Sequence, residues 1–201
     1  MKSDNMINWI KEYYRKKLSR DFNRKRDSKF LNIKDISSVG FLFDINSAES
    51  VEKLQQVCAF FGKKKLEFRG LAIETAKNVF EREVVEKGSA PKIVVPQELE
   101  QYKSIEIIPY EDLSWIGVVK GKVAEEFFAS KYDMAINLNP DGNFTLDHLF
   151  ATYADSPVRA GMSNVRTMPY TIVLEGAGRE ILPVEEYLEQ IFHYLGIIKT
   201  N

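Results

Sequence analysis

KVAEEFFASKYDMAINLNPDGNFTLDHLFATYADSPVRAGMS, residues 122–163, reads as helix, strand, helix, strand. Val123, Phe127 and Phe128 recur at helical spacing. YDMAINL, residues 132–138, is a short and nearly uncharged run of the kind a sheet buries on both faces. Residues 134–138 are therefore expected to be the central strand of a parallel sheet, and the rest of the chain arranges around them.

Upstream, residues 105–109 read as a third strand, of which 105–108 is expected to lie side by side with 134–138, or nearly so, as an inner parallel strand. Between them, residues 110–117 form a turn whose Trp115 is expected to anchor it against the core, so that truncation to alanine would cost roughly 3 kcal/mol. Nearer the start, VGFLFDI at 39–45 reads as the first strand. Ser47 is then an N-cap for a helix over 48–61, with Val51, Leu54, Val57, Cys58 and Phe61 on its buried face. A second strand follows at 68–73. Residues 75–104 break the alternation and read as an insertion, with AKNVFEREVVEK expected to be helical. Downstream, a loop containing Arg166 leads to a sixth strand at 170–174. Pro183 then opens a last helix that buries Val184, Leu188, Ile191, Phe192 and Leu195.

This alternation predicts a three-layer, Rossmann-like α/β domain with a mostly parallel sheet. Residues 1–34 are set apart as a basic amphipathic helix and linker, and residues 35–201 as a single domain with its insertion at about 75–104. In this segment 11 Lys/Arg stand against 4 Asp/Glu, a net charge of about +7, which leaves about −8 on the remainder. A helix over 5–23 places Met6, Ile10, Tyr13, Tyr14, Leu18 and Phe22 on one side, the side expected to dock on the domain. Arg15, Lys16, Arg20, Arg24, Lys25 and Arg26 are the candidate contacts to a polyanion or partner, with RNA or a protein as the classes considered.

The remaining chemistry is sparse. One cysteine, Cys58, is expected to be a small buried core residue, and the two histidines, His148 and His193, show no metal-ligand spacing. No cofactor fingerprint, nucleophile elbow or phosphate-binding loop is present, because the pair Gly176 and Gly178 lacks a third glycine. No apolar run matches a membrane span or a signal peptide, which places the chain in the cytoplasm as an expectation. In parallel sheets, ligands bind outside the carboxyl ends of the strands, near a switch in strand order. That rule nominates Asp44, Asn46, Ser47, Asn139, Asp141, Asn143, Arg159, Ser163 and Arg166 as candidate ligand-binding residues, with Glu74 and Asp112 at neighbouring strand ends. Any small ligand is expected near Asn46, Asn139 and Arg159.

Two resemblances attach to these residues. YEDLSWIG at 110–117, VAEEF at 123–127, YDMAINL at 132–138, VRAG at 158–161 and IFHYLGII at 191–198 resemble a family of uncharacterised short proteins of the Bacteroides group of bacteria, a likeness that implies no activity. YDMAINLN followed by a helix and Arg159-Ala-Gly161 is similar to the acceptor-side domain of heptosyltransferase-like glycosyltransferases. The first strand here ends Asp44-Ile45-Asn46 without the glycine-aspartate loop that carries their catalytic base, so this likeness implies architecture rather than catalysis. The expected function is a non-catalytic binding or interaction module. The alternative is a glycosyltransferase-like or small-ligand-binding protein that uses the strand ends.

Overall fold

The computed structural model describes residues 2–18, 31–83, 92–139, 142–161, 168–174 and 183–197. A six-stranded sheet forms the middle layer in the order β5-β2-β1-β6-β7-β8, every neighbouring pair parallel. Its strands are β1 (Ser38–Ile45), β2 (Glu67–Glu74), β5 (Ile105–Ile108), β6 (Met134–Leu138), β7 (Val158–Gly161) and β8 (Ile172–Val173).

Period-two alternation sorts each strand between two cores. Val39, Phe41, Phe43 and Ile45 of β1, with Met134, Ile136 and Leu138 of β6, face helices α2 (Ala48–Lys64) and α6 (Val184–Ile197). Leu42 and Ala135, on the opposite face, meet α4 (Val123–Ala129) and α5 (Phe144–Tyr153). A Rossmann-like three-layer arrangement results. All five residues of β6 are buried and the strand pairs on both sides, as its uncharged sequence requires. Cys58 lies in the α2 core, where burial pushes its thiol up to about 12.

Four expectations are corrected. Ile105–Ile108 is the sheet edge, separated from β6 by two strands, and Glu106 is its exposed member. Glu81–Glu83, expected to be helical, is strand β3, antiparallel to β4 (Lys92–Val94) in a separate two-stranded sheet. Alternation explains this: Arg82 turns towards the buried carboxylate of Glu74 while Glu81 and Glu83 face outward. Trp115 is 56% exposed and does not anchor its turn in the core.

The fourth correction concerns the N-terminal helix α1 (Lys2–Leu18). Met6, Tyr13 and Tyr14 are exposed, whereas Ile10, Lys11, Arg15 and Leu18 are the half-buried residues. The side turned to the domain mixes Ile10 and Leu18 of the expected stripe with Lys11 and Arg15, because the loop it meets offers a backbone carbonyl at Ile116 as well as the rings of Trp115 and Phe144. Phe22 and the basic residues Arg20, Arg24, Lys25 and Arg26 lie outside the described residues. Among the described residues no helix is long and apolar enough to cross a membrane.

Candidate functional site at the carboxyl edge of the sheet

From β1 the chain moves through α2, on one face, to β2; from β6 it moves through α5, on the other face, to β7. Strand order therefore switches direction between β1 and β6, and the carboxyl ends of these two strands border the crevice where such folds take ligands.

Asp44 and Asn139 stand at those ends. Asp44 is buried, and its carboxylate accepts from Thr75 Oγ1 at 2.5 Å and from the Asn46 and Asn143 side-chain amides at 3.4 Å. Asn139 clasps the start of α5: its amide donates to the Asn143 carbonyl at 2.9 Å, and its Oδ1 accepts from Asn143 N–H at 2.7 Å. Asn143 in turn caps α5 by accepting from Thr145 N–H at 2.9 Å. Behind this layer, Asp147 Oδ1 accepts from the amides of Asn137 and Asn139 at 2.9 and 2.8 Å, and Asn137 also donates to Tyr170 Oη at 2.7 Å. Burial raises the Asp147 carboxyl above its ordinary range, with the two amides opposing it.

A second carboxylate organises the β2 side. Glu74 is fully buried, accepts from the N–H groups of Val79, Phe80 and Tyr110, and pairs with Arg82, which also reaches Glu111 at 3.2 Å. Burial alone would lower the Arg82 guanidinium; the two carboxylates outweigh it and raise it. These bonds hold Thr75 and Tyr110 in place at the sheet edge.

The 110–120 segment folds into a small hairpin. Leu113 bridges Val119, and Ser114 N–H donates to the Val118 carbonyl at 2.7 Å. Gly117 sits at its tip with φ +85°, and its carbonyl accepts from Thr145 Oγ1 at 2.6 Å. A Cβ there would lie 2.9 Å from that hydroxyl, so only glycine fits without displacement. On its other side the tip meets α1: Arg15 Nε donates to the Ile116 carbonyl at 3.3 Å, and Trp115 packs edge-on against Tyr14. Arg15 also lies 5.1 Å over the Phe144 ring.

These contacts enclose a cavity of about 320 Å3 lined by Lys11, Arg15, Thr75, Tyr110, Asn143 and Thr145, with the hairpin as one wall. A second hollow of about 430 Å3, bordered by Glu12, Lys16 and Phe144, shares Arg15 and Asn143 with it. Lys77 adds a further cation 5.5 Å over the Tyr110 ring.

Of the nominated residues, the structure thus gathers Asp44, Asn46, Asn139 and Asn143. Ser47 is spent on the α2 N-cap, in a capping box with Ser50. Arg159 lies elsewhere: it pairs with Ala135 at the start of β6, is buried, and donates to the carbonyls of Ser156 and Pro169. Burial lowers its guanidinium, opposed by Asp155. The expectation that Arg159 joins Asn46 and Asn139 is therefore overturned by register. Asp141, Ser163 and Arg166 lie outside the described residues. Lys11, Thr75, Tyr110 and Thr145 were not nominated; Arg15 was, as a contact to a polyanion or partner, and Lys11 stands four residues before it on the same helix. Among the described residues no group of three His, Cys, Asp or Glu is placed to hold a metal ion.

Compared with known families, residues 7–198 match the model of a family of unknown function, DUF6913. The chain belongs to the DUF6913 family. No curated protein and no solved structure matches it. Membership of DUF6913 agrees with the likeness to uncharacterised proteins and has no bearing on the likeness to heptosyltransferases.

Proposed function

We propose that the chain is a non-catalytic binding module that holds a small anionic ligand at the carboxyl edge of its sheet, under α1. The observation that carries this reading is the cavity between α1, the hairpin and the start of α5, with Lys11 and Arg15 in its wall. Thr75, Ser114, Tyr110, Asn143 and Thr145 add hydroxyl and amide groups to the same lining, which among the described residues contains no carboxylate, imidazole or thiol. Two cations with neutral hydrogen-bonding groups suit a phosphate ester or a carboxylate. The volume lies at the small end of ligand sites, about 300–1,000 Å3, and so favours a compact metabolite.

Binding is favoured over chemistry because Asp44, the carboxylate bonded to the lining residues Thr75 and Asn143, is also engaged by Asn46. In that position it orients the lining. The rival glycosyltransferase-like reading needs a carboxylate that takes a proton from an acceptor sugar. A thermal-shift panel tests the choice: small phosphates and dicarboxylates are expected to raise Tm with concentration, and neutral sugars are not. Stabilisation by sugars alone would reverse the assignment.

A second reading, that α1 faces a macromolecular partner, RNA or protein, is supported by a separate observation. Trp9, Tyr13, Tyr14 and Trp115 form a continuous series of ring contacts that is largely exposed.

A further inference from the structure

We infer that the outer side of α1 and the hairpin tip form a platform for single-stranded nucleic acid. This rests on the reading of α1 as a partner-facing helix, and the platform meets the ligand cavity at Trp115, which lines both. Successive rings from Trp9 through Tyr13 and Tyr14 to Trp115 lie 6.2, 5.7 and 5.8 Å apart between centroids. Their exposures are 69%, 57%, 42% and 56%, an unusual concentration of uncovered aromatic surface. Trp9 and Tyr13 are nearly parallel, with an interplanar angle of 24°, and present ring faces along the helix. Base stacking on such rings is tolerant of sequence, since every base has a π-face.

The choice among partners follows from the distribution of charge and aliphatic groups. At about 100° per residue, Lys16, Trp9, Tyr13, Met6 and Lys17 follow one another around the α1 axis, so cations border the rings on both sides. A helix that lies in a membrane interface separates a purely apolar face, which sinks, from a charged face, which stays wet. Here sinking the rings drags Lys16 and Lys17 with them. Stacked bases with phosphates on either side use both sets of groups. Within α1, Lys2, Lys11, Arg15, Lys16 and Lys17 outnumber Asp4 and Glu12, so the helix that carries the rings attracts a polyanion.

Trp9 and Trp115 are the two tryptophans of the chain, so its intrinsic tryptophan fluorescence reports on this platform, with Trp115 also sensing the cavity wall. The test titrates the full chain with a twelve-residue oligouridylate, and separately with phosphatidylglycerol-containing vesicles, over a range of salt. Saturable quenching by the oligonucleotide is expected, with an affinity whose salt slope is about −0.7 per phosphate contact. The Trp9→Leu/Tyr13→Leu variant, altered at exposed positions and still carrying Trp115 as reporter, is expected to bind about tenfold more weakly. Quenching that this variant leaves unchanged overturns the assignment. A blue shift with vesicles alone removes nucleic acid as the partner while leaving α1 partner-facing; silence towards both overturns the platform and leaves a protein as the partner of α1.

Discussion

Arg15 Nε donates to the carbonyl of Ile116 at 3.3 Å, and this bond joins a helix from the chain's start to a hairpin 101 residues later. Its guanidinium thereby closes the space above the carboxyl ends of β1 and β6. Replacing Arg15 with Gln is expected to loosen α1 while leaving the sheet intact, because the domain's two cores lie below this contact. Hydrogen exchange checks it: amides of α1 should lose protection, and those of β1 and β6 should keep theirs.

Gly117 provides a test of the hairpin's geometry. Gly117→Ala puts an L-residue at positive φ and a Cβ 2.9 Å from Thr145 Oγ1, whereas Gly121→Ala meets the same kind of φ with nothing within 4 Å. The conformational cost alone is roughly 1–2 kcal/mol at either site, or a fall in Tm of about 2–8 °C for a domain of this size. Thermal unfolding should show a larger fall for Gly117→Ala. Equal falls would mean that the Thr145 contact relaxes without cost.

Trp115→Ala, by contrast, is expected to change stability by no more than about 0.5 kcal/mol, the usual range for an exposed side chain. Denaturant unfolding decides this. A loss near 3 kcal/mol would restore the core-anchor role that the turn's sequence suggests.

Two carboxylates, Asp147 buried and Asp133 half-buried, should give pH dependences of opposite sign. Asp147 has its carboxyl raised above 3.8 by burial, so between 3.8 and the raised value the native state binds more protons than the unfolded one. Stability there falls as pH rises, and Asp147→Asn is expected to abolish that decline. Burial also pushes Asp133 upward, but donors from Ser37 and Ser38, at 2.7–3.0 Å, outweigh it and hold the carboxyl below 3.8. Its contribution is present above 3.8 and lost as pH falls through the lowered value. Urea unfolding from pH 3 to 7 should therefore show Asp133→Asn converging on wild type in acid. Curves parallel to wild type for both variants would refute these assignments.

The fold was legible wherever local pattern and burial coincide. Met134–Leu138 carries no charge and is buried on both faces, and Ser47 and Asn143 sit at helix starts as their capping chemistry requires. Strand order was not legible in Ile105–Ile108, since β-branched residues suit an edge strand as well as a central one, and only pairing partners distinguish them. Asp44 and Asn139 followed from the rule for strand ends. The roof over them did not, because the apolar stripe of α1 says which side is greasy and not what the helix lies against. Lys11 and Arg15 found a polar edge, and the rings were left outside.

Calorimetric titration of the full chain with inorganic pyrophosphate, for wild type and for Lys11→Gln/Arg15→Gln, measures the cavity's preference for anions most directly. Saturable binding to wild type is expected, weakened by tenfold or more in the variant, since each 1.4 kcal/mol of lost interaction is a factor of ten. Equal affinities in the two proteins, or no binding by wild type to pyrophosphate or to any small phosphate or carboxylate, would contradict the assignment of an anion site beneath α1.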